Sequence, residues 1–145
     1  PANWTGMLPR FFWTQDKNRR RTKASDVSPG DAVIFFEGNL ANPDKPDQKG
    51  SDGKWTNVGT RAFHIAVVEK AGHSNGEFTS LSVAESSGSP SKFGGSGVNV
   101  RDVVITGTGS FGGWIRCEEG KGESAHHLYF VAPPWGWGPE EAYQL

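Results

Sequence analysis

A second cysteine is missing from this chain. Cys117 stands alone, so no disulfide can form within the chain and a cysteine-built zinc site is excluded. An excess of either charge is missing too. The formal net charge of −1 argues against general nucleic-acid binding, because neutralising phosphates needs a strongly basic face. The one basic run, KNRRRTK from Lys17 to Lys23, has no aromatic residue interleaved for base stacking and reads as a solvated loop. No apolar run nears the roughly 20 residues that span a bilayer, so no membrane partner is expected. The chain starts at Pro1 with neither an initiator Met nor an apolar leader. A processed product, from which an upstream segment has been removed, would look like this. Hydrophobic residues are few, at 34%, while there are 20 glycines. That balance fits a loop-rich, strand-based domain and not a helical bundle.

The 145 residues suffice for one domain with a single core. Residues 1–27 read as an extended N-terminal segment, broken at Leu8-Pro9, with at most one turn of helix around Phe11 to Gln15. VSPGD is a turn: Pro fixes φ and Gly supplies a left-handed position. AVIFFEG (Ala32 to Gly38) is short, apolar and rich in β-branched or aromatic residues, hence a buried strand. Residues 39–60 form a long polar insertion with Trp55 as its large apolar anchor; loops of this length are usually functional or disordered.

FHIAVVEKA predicts a second strand and GHSNGE a hairpin turn into a third, FTSLSVAESS. VNVRDVVIT reads as a fourth strand and GTGSFGG as a glycine-rich turn. WIRCEE and HLYFVAP are the fifth and sixth. Residues 134–145 are a Pro/Gly/Trp tail expected to pack over the sheet through Trp135 and Trp137. The predicted class is α+β and strand-dominated, with a curved antiparallel sheet or partial barrel of about six strands.

Several residues could carry chemistry. His64 opens an apolar strand, where a sheet can hold the ring at a groove and a near-neutral imidazole suits general acid–base work. Glu85 ends the neighbouring strand and, if the two pair as a hairpin, returns beside His64. There it could accept the Nδ1 proton and fix the tautomer. Each also has an ordinary reading, as a strand-end histidine on a backbone carbonyl and as an edge carboxylate facing water. Asp31 is expected to cap its turn. Cys117 is the one candidate nucleophile in the sequence. Glu118 and Glu119 beside it oppose a thiolate, and Arg116 offsets them in part. His126 and His127 are adjacent and would point to opposite faces of a strand, so neither a metal nor any other cofactor is expected.

The order of these segments resembles the later part of an NlpC/P60-type cell-wall peptidase or the related CHAP amidase domain. The match rests on GMLPRFFWTQ (Gly6 to Gln15), PGDAVIFF (Pro29 to Phe36), HIAVVEKAG (His64 to Gly72), VAESSG, GVNVRDV and YFVAPP. The resemblance implies a papain-like α+β fold and cleavage of peptide amides in peptidoglycan or a glycopeptide. It implies a Cys thiolate paired with His64 and a polar third residue near Glu85, where the family more often places His, Asn, Gln or Asp. It also implies a secreted or cell-envelope location. The nucleophile's helix should precede Gly6, and only PANWT stands there. Three accounts stay open: a separate or upstream N-terminal fragment carries it, catalysis has been lost, or the order is permuted with Cys117 as nucleophile.

Two readings from other classes compete. One is a secreted or toxin-like binding domain that uses Trp55, Trp114, Trp135 and Trp137 as flat platforms for glycan or protein. The other is a small endoribonuclease, with His64 and Glu85 as acid and base and Arg101 as phosphate clamp. In the hydrolase reading, Trp55, Arg101 and Trp114 are the candidate substrate contacts.

Overall fold

A computed structural model describes residues 4–40, 42–86 and 98–133. The 134–145 tail, with the expected platforms Trp135 and Trp137, lies outside them. The chain forms one helix, α1 (Trp4–Thr14), and seven strands: β1 (Ala32–Gly38), β2 (Thr60–Ser74), β3 (Glu77–Ser86), β4 (Val98–Asp102), β5 (Ile105–Phe111), β6 (Trp114–Glu119) and β7 (His126–Val131). The strands make a single antiparallel sheet in the order β4-β3-β2-β1-β7-β6-β5. It is therefore two meanders, β1 to β4 and β5 to β7, joined where β1 pairs with β7.

The sheet curls into a half-barrel. β1 runs through its centre and is buried on both faces, which is why its sequence is continuously apolar and does not alternate. Val33 and Phe35 point into the concave core with Val68, Leu81, Val83, Cys117, Leu128 and Phe130. Ala32, Ile34 and Phe36 point to the convex face, where Tyr129, Val131 and Trp13 of α1 cover them. The β2–β3 hairpin turns on Asn75 and Gly76, both at positive φ (54° and 80°). Paired left-handed residues of this kind match the twist of the strands they join.

Four expectations change. The N-terminal segment is a three-turn helix and not an extended approach, although Pro9 lies inside it. Proline costs a helix its hydrogen bond, but Pro9 and Trp13, four residues apart, bury one face on the sheet, and packing outweighs propensity. The sheet has seven strands because the predicted fourth strand breaks after Asp102, and the glycine-rich stretch belongs to β5. Gly107 leaves room in that strand for the Glu118 carboxylate across the pair: a Cβ there would come within 2.6 Å of Oε2 and displace the side chain's tip.

The basic run is not a solvated loop. Arg20 lies between the Trp13 and Trp114 rings, 3.7 and 4.5 Å from their centres, and pairs with Asp44 at 2.8 Å. Arg21 makes two 2.9 Å hydrogen bonds to Asp31, which also accepts the Ser28 N–H of its own turn. The arginines tie the N-terminal segment to the sheet. The polar insertion is also built. Asp47 accepts the Gln48 and Val58 N–H groups at 2.9 and 3.0 Å and pairs with Arg61. Arg61 in turn lies 5.1 Å from the Trp55 ring centre.

Candidate active site

One end of the concave face collects the polar residues of several strands. It begins with a bulge in β2. Phe35 pairs with His64, but Phe36 pairs with Ala62, so Phe63 is an extra residue. A β-bulge of this sort re-aims side chains. Here it leaves two consecutive residues on the concave face. The His64 ring lies 5.0 Å from the Phe35 ring, and the Phe63 ring lies 6.1 Å from Phe35 and stacks at 24° against His64.

Glu85 comes from the returning end of β3. Its Oε2 lies 2.6 Å from His64 Nε2, and its Oε1 accepts from Arg101 Nε on β4. Arg101 stands opposite Val83, one diagonal step from Glu85 on the same face. The guanidinium then reaches across the hollow to Glu119 on β6, donating at 2.7 and 3.4 Å. β4 and β6 are far apart in the sheet order, so this contact spans the curl.

Burial pushes the Glu85 carboxyl up, but the hydrogen bonds from His64 and Arg101 outweigh it and hold the group below the ordinary carboxylate range. An ionised carboxylate only accepts, so the proton in the contact sits on His64 Nε2. In the ring's neutral form the lone pair is then at Nδ1, which has no hydrogen-bond partner among the described residues. The expected contact was through Nδ1; the structure uses the other nitrogen. The arrangement is a held and oriented base with its basic atom open.

Cys117 lies on the same face, but in the core. It has no exposure, and burial, with Glu119 and Glu118, pushes its thiol up to about 12. Trp114 is on the convex face, 5.4 Å from Trp13, and so is remote from His64. Trp55 is 45% exposed on the folded insertion, with Lys49 and Arg61 each 5.1 Å from its ring centre. Of the candidates, His64, Glu85 and Arg101 are brought together and Cys117 and Trp114 are not.

Sequence reasoning missed Glu119 and Phe63. Glu119 was legible in part, two residues beyond Cys117 and therefore on its face. The bulge that turns Phe63 inward has no sequence mark. A separate cleft of about 360 Å³, lined by Lys70, Thr79, Ser80, Ser82 and Asp102 among others, holds none of the candidates. Among the described residues no group of three or more His, Cys, Asp or Glu side chains could hold a metal ion. Comparison with protein-family models, curated proteins and solved structures gives no match.

Proposed function

We propose that this chain is a cell-wall-type cysteine amidase or peptidase domain, with His64 as general base and Glu85 as its orienting carboxylate. The proposed substrates are the peptide amides of peptidoglycan or a glycopeptide, and the proposed location is secreted or cell-envelope. One observation supports it most: His64 Nε2 sits 2.6 Å from Glu85 while Nδ1 is left unbonded by the described residues. A base in this setting can take a proton from a nucleophile brought to Nδ1. Cys117, enclosed and held protonated, is poorly suited to be that nucleophile. The proposal therefore assigns the thiol to an upstream segment beyond the 145 residues or to a separate N-terminal fragment, since Cys117 is the one cysteine of the sequence.

A binding role has its own support in Trp55, an exposed ring on a hydrogen-bonded loop. The ribonuclease reading is weakened because Arg101 is engaged by Glu85 and Glu119, two carboxylates a phosphate would have to displace. The deciding experiment is hydrolysis of purified peptidoglycan and of a synthetic stem tetrapeptide by the native protein, intact mass first identifying the thiol-bearing segment that accompanies this chain, compared with His64→Ala in the same assembly. Turnover that falls at least about 100-fold in the variant supports the reading. Absence of turnover in the parent, or an undiminished variant, overturns it. In the first case, Trp fluorescence that shifts on adding peptidoglycan would favour binding.

A further inference from the structure

The same end of the concave face, its mouth, holds a second imidazole beside a carboxylate, more loosely placed than the first. His126 opens β7 on the concave face, directly opposite Glu119 of β6. Its Nε2 lies 4.0 Å from Glu37 Oε2 on β1, and Glu37 Oε1 is held at 3.4 Å by Arg61 of β2. The Phe63 ring stands between the two histidines, 6.5 Å from His64 and 4.6 Å from His126, centre to centre. Two His–Glu–Arg relays thus flank one aromatic wall: His64–Glu85–Arg101 and His126–Glu37–Arg61. In each, Nε2 faces a carboxylate that an arginine shares, at hydrogen-bond distance for His64 and at ion-pair distance for His126, and Nδ1 is without a hydrogen bond among the described residues. The two imidazoles are also similarly open, with side-chain exposures of 29% and 31%.

We propose that His126 is the second proton-transfer residue of this mouth, acting as general acid where His64 acts as base. This rests on the amidase reading above. In acylation a C–S bond forms and the amide C–N bond breaks. The thiol proton passes to His64 Nδ1, and protonated His126 gives the leaving amine its proton from Nδ1. In deacylation water attacks the thioester and loses its proton to His126, while His64 returns its own to the departing thiolate. One water is consumed, and both imidazoles end as they began.

Footprinting with diethyl pyrocarbonate, read residue by residue by mass spectrometry, tests this on the full chain with and without a synthetic stem tetrapeptide. His64 and His126 are expected to be acylated, and the peptide to protect both. The remaining histidines are internal controls. His73, exposed near the end of β2, should react without protection, and His127, buried against Arg116 and Glu118, should not react. Protection of His64 without His126 overturns the second role and leaves the proposed function standing. Protection of neither overturns the substrate assignment, and this inference with it. Kinetically, in the assembly that includes the thiol-bearing segment, His126→Gln should lower kcat about 100-fold and leave KM within about threefold, as for a group acting in the transition state. A variant with the parent's kcat overturns the assignment.

Discussion

Cys117 and His64 face the same hollow under opposite conditions. The thiol is walled in by Val33, Leu128 and their neighbours, with two glutamates adding to the cost of a thiolate. The imidazole is anchored at one nitrogen and open at the other. Reactivity follows the thiolate fraction and access, so Cys117 should be inert to Ellman's reagent at pH 8 and become fully reactive in denaturant. Rapid native labelling would contradict the buried placement. The His64–Glu85 pair was legible because two strands joined by a tight turn must return their ends to one place. The choice of nitrogen was not, since it depends on ring rotation beside Phe35 and Phe63. His126 was weighed in the sequence only as a metal ligand. Its neighbours, Glu37 and Phe63, are brought to it by the β1–β7 ladder and the bulge.

At the scale of elements, α1 and the arginine-bearing segment after it act together. Trp13 has no exposure; it packs at 5.5, 5.4 and 5.0 Å against Phe36, Trp114 and Tyr129, and its indole N–H donates to Asp44 at 3.0 Å. Arg20 covers its face and donates to its carbonyl at 2.9 Å. Replacing Trp13 by Ala should cost about 3–5 kcal/mol in urea unfolding, through the cavity and the lost cover for Arg20. A cost below about 1 kcal/mol would mean that the helix does not hold the convex face. The strands were legible where apolar alternation or a buried run marks them. The helix was not, because Gly6 and Pro9 weaken the local signal and its stabilisation comes from the sheet. β5 was hidden for a related reason: its glycines read as a turn, and its strand character comes from pairing with β6.

Across the whole molecule, the charge is nearly balanced but strongly paired. Asp44, Asp47 and Glu85 are each pushed up by burial and, more strongly, pulled below their ordinary values of 3.8, 3.8 and 4.5 by hydrogen bonds and by Arg20, Arg61 or Arg101. A carboxylate lowered on folding contributes stability that is complete above its unfolded value and lost as pH falls through its folded value. The urea midpoint should therefore fall steeply below about pH 4, with the N-terminal tether, the 39–60 insertion and the mouth loosened together. A midpoint unchanged between pH 6 and 3 would show that these pairs contribute nothing.

The division into two meanders also sets an order of assembly. β1 to β4 can form from near-neighbour hairpins, and with them the whole His64–Glu85–Arg101 relay. The His126–Glu37 pair waits for β7, the last described strand to be synthesised, to find β1 across roughly two thirds of the chain. Closing so distant a contact is the slow step expected of such a topology. During synthesis the chain would thus carry the proposed base, already oriented, well before the proposed acid. On the proposed roles, both imidazoles would be in place only with the final joining of the sheet.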